Sequence, residues 1–248
     1  MGIALMSSLP VLDVYESALP GAAVHNGMYR GKNLGTSVTA EQYAAISNGS
    51  FKDLFIGDYW VIGGVNWRIA AIDYYYNCGD TNFTTHHLVI VPDTVLYNAQ
   101  MNTTNTTSGG YVGSAMYKTN LEQAKTTIKN TFGSSHVLKH RELLTNATSG
   151  DNPSNWAWYD SEVELMGEVQ VYGSVAWGAH NGNGRNVASA NGQFPLFRFD
   201  RTKLRIRQTY WLRDVCTSVD FASVYDHGHA NDNGASYSDG VRPAFCLG

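Results

Sequence analysis

Gly63-Gly64 separates two short runs that read as strands, Asp58-Tyr-Trp-Val-Ile62 and Val65-Asn-Trp-Arg-Ile-Ala-Ala-Ile72. A primed two-residue turn needs positive φ at both central positions, which glycine supplies without steric cost, so a hairpin is expected here. His87-Leu-Val-Ile-Val-Pro92 reads as a buried strand that proline stops, because its nitrogen cannot donate to a ladder. The chain becomes strand-rich again from Tyr210-Trp-Leu-Arg-Asp-Val-Cys216 onward. Residues 98–118 and 178–193 are filled with Asn, Thr, Ser and Gly, the composition of loops. Few helices are expected. Thr39 to Gln42 and Thr119 to Glu122 fit capping boxes, the second followed by Leu121, Ala124, Ile128 and Phe132 on one stripe before Gly133. Ser161 to Glu164 fits a third box, with Leu165, Met166 and Val169 as the apolar side of its helix. No fixed repeat is present, and short strands with long polar loops point to an irregular α+β domain. Residues 1–35 read as an arm or connector and 36–248 as the domain.

Composition narrows the function classes. Of 248 residues, 15% are charged and the formal net charge is −4, against about 25% charged in an ordinary domain. With no run of Lys or Arg, neither nucleic acid nor an anionic membrane is an expected partner. No apolar stretch approaches the roughly 18 residues that span a bilayer. The start of the chain has no basic region, and Asp13, Glu16 and Pro20 follow too soon for a signal peptide, so a soluble protein is expected. Cys78, Cys216 and Cys246 are odd in number and read as free thiols, with Cys216 and Cys246 the one pair that adjacent strands would bring together.

Residues with catalytic or metal-binding chemistry have bland readings. His136 and His140 have helical i, i+4 spacing but lack the glutamate of a zinc hydrolase motif, and His86-His87 would point to opposite faces of a strand. Asp160, Glu162, Glu164 and Glu168 resemble a carboxylate pair for glycoside hydrolysis, yet their place at a helix start is better explained by the helix dipole. Asn82-Phe-Thr84 is assigned no glycan. Neither a metal nor a cofactor is expected.

The C-terminal window differs. Between Asp214 and Gly240 there is no Lys, Glu, Gln, Trp or Met, although these types make up about an eighth of the chain. Asp, Asn, His, Tyr, Ser, Thr and Gly replace them, and each is reached from the codon AAC by changing its adenines alone. Between them stand small or apolar residues, Phe221-Ala222, Val224, Ala230, Ala235 and Gly240-Val-Arg-Pro-Ala-Phe245. The pattern is that of a diversified surface threaded through a constant framework.

Trp211-Leu-Arg213, this alternating segment and the closing Gly240-Val-Arg-Pro-Ala-Phe245 resemble the variable proteins of diversity-generating retroelements, the class that includes phage major tropism determinants. Upstream, Tyr29-Arg-Gly-Lys-Asn-Leu-Gly35, Gly57-Asp-Tyr-Trp60 and His140-Arg-Glu-Leu-Leu-Thr145 are similar to a phage tail or baseplate family with such a C-terminus. The resemblance implies a C-type-lectin-like fold, and the Gly-Val-Arg ending resembles its formylglycine-generating-enzyme-like branch. That branch's catalytic cysteine pair is not evident, so its oxidase activity is not carried over.

The resemblance further implies a non-catalytic receptor-binding component of a virion tail, with a variable region of about 211–248. Asp214, Thr217, Asp220, Ser223, Tyr225, Asp226, His227, His229, Asn231, Asp232, Asn233, Tyr237 and Asp239 match its mutable positions, Ser236 and Ser238 remain open, and Trp211, Arg213 and Arg242 match scaffold. Tyr, Ser, Asn and His combine rigid contacts with adaptable hydrogen bonds, as antibody paratopes do. Five Asp and no Lys make the window acidic, with Arg213 and Arg242 nearby in sequence to offset it. Implied partners are a protein or glycan on a cell surface, other virion subunits and a homotrimeric assembly. One alternative is a calcium-dependent lectin using Asp226, Asp232, Asn233 and Asp239, weakened by the absence of Glu. Another is a hydrolase or oxidase, which would need a concave pocket with a perturbed acid, base or thiol.

Overall fold

The computed structural model describes residues 21–178 and 192–248, so the N-terminal arm up to residue 20 and most of the Gly- and Asn-rich stretch after 178 lie outside the described residues. In chain order the elements are α1 (Ala22–Asn26), α2 (Ala40–Ser47), β1 (Tyr59–Ile62), β2 (Val65–Ile72), β3 (Leu88–Pro92), β4 (Tyr97–Ala99), α3 (Gly110–Gly113), α4 (Glu122–Phe132) and β5 (Val137–Leu138). They continue with β6 (His140–Ser149), β7 (Asn152–Ser161), β8 (Val163–Leu165), α5 (Glu168–Tyr172), α6 (Pro195–Phe199), β9 (Tyr210–Val215), β10 (Asp220–Val224), β11 (Ala230–Gly234), β12 (Asp239–Val241) and β13 (Pro243–Leu247). The fold is α+β.

The local signals hold where the chain pairs with itself. β1 and β2 form an antiparallel hairpin closed at Ile62 and Val65, with Gly63 at φ 60° and Gly64 at φ 78°. Thr39 and Gln42 make a reciprocal capping box on α2. The Gln42 side-chain oxygen also accepts from the Trp60 indole at 3.0 Å, which ties the helix start to β1. Residues 29–35 are docked rather than free: Leu34 donates to Tyr59 and Val61 to Gly35, extending the edge of β1. Asp58, fully buried, accepts the Arg30 guanidinium and the amides of Lys32 and Phe55.

Two larger sheets result. One has the order β1-β2-β3-β13-β5, with β8 also pairing β13; the other runs β11-β10-β9-β12-β4. β6 and β7 form a long hairpin of their own. β12 belongs to the second sheet and β13 to the first, so the chain changes sheets at Arg242. Its guanidinium is fully buried at that crossing and donates to Pro92 O at 2.8 Å, Lys203 O at 2.9 Å and the Tyr210 hydroxyl at 3.0 Å. Gly240 precedes it because a Cβ there would come within 2.2 Å of Val95 Cγ1. The core closes on aromatic edges, Trp67 against Phe132 at 5.4 Å and Phe132 against Phe245 at 5.1 Å between ring centres.

Several expectations fail for tertiary reasons. α4 carries the expected stripe, but Thr119 does not cap it; a π-helical turn over Met116–Asn120 comes first, and the Thr119 hydroxyl bonds Ala115 O. No helix starts at Ser161. Val163–Leu165 is a strand paired with Phe245–Pro243, and only α5 follows. Ser161 does meet Glu164, its hydroxyl donating at 3.0 Å, on a strand backbone rather than a helical one. His136 ends a 3-10 turn and His140 opens β6, so they share no helical face. Cys216 follows the end of β9 in the second sheet while Cys246 lies in β13 of the first, and all three cysteines are free. Among the described residues no helix is long and apolar enough to cross a membrane.

Candidate functional site

The middle of the C-terminal window folds as β10, a five-residue tip (225–229) and β11, with the end of β9 before it and β12 after. At the tip the Tyr225 amide donates to His229 O at 2.9 Å and the Gly228 amide to Tyr225 O at 2.7 Å. Gly228 takes φ 89°, and a Cβ there would sit 2.5 Å from Arg205 Cγ, so glycine is required on both counts. The Tyr225 ring packs on His229 at 4.9 Å, and Asp226 pairs with the His227 imidazole. The Arg207 amide holds Asp226 O at 3.1 Å, pinning the tip to the preceding segment.

The thirteen positions do not make one face. Tyr225, His227, His229 and Tyr237 are exposed, and the tip gathers the first three with Asp226. Thr217 and Asp220 close the β9–β10 turn, the Thr217 hydroxyl donating to Asp220 at 2.7 Å. Opposed residues of an antiparallel pair share a face, so Asn231 and Asn233 lie with Ser223 and Phe221, while Asp232 lies with Ala222 on the other side. Asn233 donates to Asp239. Ser223 is fully buried, and the partly buried Asp214 carboxylate accepts the Glu168 amide at 2.7 Å. The intervening Phe221, Ala222, Val224, Ala235 and Val241 are fully buried.

The four oxygen donors proposed for calcium are split between the tip, both faces of β11 and the start of β12. Among the described residues no cluster of three or more His, Cys, Asp or Glu is placed to hold a metal ion.

Arg213 and Arg242 do not offset the acidic window, because both guanidinium groups are spent inside. Arg213 donates to Glu142 at 2.8 Å. Burial favours the neutral form of Glu142, but Arg213 and His140 hold its pKa down to about 2. Tyr75 donates to the same carboxylate at 2.6 Å and accepts from Gln170 at 2.8 Å. Glu164 accepts from Tyr111 at 2.8 Å; burial and the nearby Glu142 charge push it up to about 7. Glu168, raised by burial and by Asp214, accepts the amides of Ala176, Trp177 and Gly178 and so holds that loop.

Glu142 and Glu164 therefore belong to a core network and not to a helix start, while Glu168 does open α5. Sequence reasoning missed the network because Arg213, Tyr75 and Tyr111 are remote in the chain from the carboxylates they meet. The void beside it, lined by Tyr75, Glu142, Glu164, Gln170 and Arg213, measures about 10 Å³, room for one water and no substrate.

What offsets the acidic tip is a segment the sequence reading passed over. Arg198, Arg201, Lys203, Arg205 and Arg207 fall within ten residues, each separated from the next, and the four arginines are exposed. Their spacing, rather than a contiguous run, was the available signal. Trp177, about half exposed, was also missed; its indole donates to Ala230 O at 3.0 Å along β11.

Residues 89–248 match the family model described as Domain of unknown function (DUF6273). The chain belongs to this family. The matched DUF6273 segment contains the whole second sheet, the β6–β7 hairpin, the buried carboxylate network and β13, while β1 and β2, which complete the first sheet, precede it. No curated protein and no solved structure matches the chain.

Proposed function

We propose that this DUF6273 protein is a non-catalytic ligand-binding protein whose C-terminal hairpin is diversified by adenine-directed mutagenesis, on a C-type-lectin-like fold. The observation that carries this is the division of the window by exposure. The polar, codon-restricted residues Tyr225, His227, His229 and Tyr237 emerge at the surface, while the framework residues between them fill the core. Side chains can then turn over without repacking the domain. Trp211 supports the arrangement from beneath, its indole donating to Ala99 O at 2.8 Å and tying β9 to β4.

Sequencing sibling genes tests this. Variation is expected at residues 225–227, 229, 231–233, 237 and 239 and not at Gly228, Ser223 or Asp214; variation spread evenly along the chain would overturn the reading. By the same resemblance the protein serves on a phage tail, meeting a cell-surface protein or glycan as a cyclic trimer. Light scattering at micromolar concentration is then expected to give three times the chain mass, and a monomer would remove the trimer from the proposal.

A further inference from the structure

A groove of about 840 Å³ opens beside the hairpin tip, walled on one side by His227 and His229 and on the other by Arg198, Arg201, Thr202 and Arg205. Thr202, Arg205 and His227 also line an adjoining depression of about 560 Å³ that Arg207 and Asp226 complete, so the two share a wall. Each volume is in the range of small-molecule sites.

The charge of this groove is built rather than incidental. Arg198, Arg201 and Arg205 are exposed and form no ion pair with any carboxylate among the described residues. Asp200, the nearest acid in sequence, is already engaged: it accepts from the Tyr29 hydroxyl at 2.9 Å and from the Thr202 amide at 3.0 Å, capping the turn over Arg201–Lys203. Asp226 is paired with His227. The turn itself is fixed from below, since buried Arg242 donates to Lys203 O at 2.9 Å and Leu204 is buried. Three guanidinium groups thus line one depression against a single carboxylate, Asp200, which faces the same groove and is held by Tyr29 and Thr202 rather than by an arginine.

Such forks bind carboxylate or phosphate through paired N–H donors. The rest of the wall suits a sugar: the half-exposed Phe199 ring and the Tyr172 ring offer flat apolar faces, and Gln193 and Thr202, whose amide nitrogen and hydroxyl already donate to Val171 O and Asp200, present their side-chain oxygens as acceptors. The basic patch is local on a chain of net charge −4, unlike the extended positive track that nucleic acid needs. From these features we infer that the groove binds an anionic saccharide, a sugar bearing carboxylate or phosphate, with the diversified tip choosing among such sugars from one wall. The inference rests on the tip being a ligand-contacting surface.

Calorimetry in 150 mM salt tests it with four probes: a uronic-acid trisaccharide, its neutral galactose counterpart, galactose 6-phosphate and a short single-stranded oligonucleotide. One of the two acidic sugar-type probes is expected to bind at least tenfold more tightly than the neutral one, and which of them binds separates carboxylate from phosphate. The double substitution Arg201→Ser with Arg205→Ser is expected to remove at least tenfold of that affinity with an unchanged melting temperature. If that variant does not fold, Arg198→Gln, on the opposite end of the wall, is expected to weaken binding at least threefold. Equal binding of the neutral sugar, no binding of either acidic probe at millimolar concentration, tighter binding of the oligonucleotide, or indifference to the substitutions would each overturn the inference. Failure here leaves the sibling-gene variation unaffected, so the two proposals fall separately.

Discussion

Replacing Arg213 with Ala is expected to cost about 3–5 kcal/mol of stability, the range for breaking a buried ion pair by removing one partner. Glu142 is nearly inaccessible and depends on the Arg213 guanidinium at 2.8 Å for its charged state. Without Arg213 the carboxylate keeps the Tyr75 hydroxyl and a long His140 contact at 3.3 Å but loses the guanidinium at 2.8 Å. The Leu165 carbonyl, reached by the same guanidinium, loses a donor as well. Urea unfolding reads the loss as a shift of midpoint, and a change below about 1 kcal/mol would show that Arg213 is not a brace. The second variant, Arg213→Met with Glu142→Gln, removes the orphaned charge and is expected to recover part of the loss, because paired replacement of a buried ion pair is often far less costly than breaking it.

The same pair shows why sequence alone carried the reading only part of the way. Gly63-Gly64 and the Thr39 box concern residues within a few positions of one another, and both form as the local chemistry demands. Ser161 and Glu164 carry the same local signature as Thr39 and Gln42 and do bond each other, yet their backbone is extended because Pro243–Phe245 pair with it from some 80 residues away. A capping signature says which side chains can meet; the pairing strand decides the backbone on which they do. Burial misled in a similar way. Glu142 and Glu164 look like solvated acids until Arg213, Tyr75 and Tyr111 are brought beside them by three separate elements.

In the C-terminal window the alternation of polar and apolar letters was legible and does divide core from surface. Period-two geometry also placed Ser223 inside and split Asn231 from Asp232, which a list of residue types does not convey. The groove was legible only as spaced arginines, since its other wall, the hairpin tip, is set by strand register. The chain's acidic average hid a local basic surface.

Glu164→Gln is expected to make the protein more stable than the wild type at pH 8 while changing it little at pH 4.5. Glu164 is pushed up to about 7 in the folded protein by burial and by the Glu142 charge, against 4.5 for a free side chain. The folded state therefore holds this proton more tightly than the unfolded chain does. The stabilisation this provides is complete below pH 4.5 and is lost as pH rises toward 7, amounting to roughly 3 kcal/mol at 1.36 kcal/mol per pH unit. Glutamine stays neutral throughout and keeps one donor and one acceptor for Tyr111 and Ser161, so the difference between variant and wild type should open across that window. Taking the difference matters, because buried His87, held down to about 3 by burial, gives the opposite slope below pH 6.5 in both proteins and cancels. Melting curves at pH 4.5, 6 and 8 read the effect; parallel profiles would mean that Glu164 ionises as freely in the fold as outside it. A divergence would place a titrating carboxyl in the buried network that holds Arg213 of β9, the strand that pairs with β10.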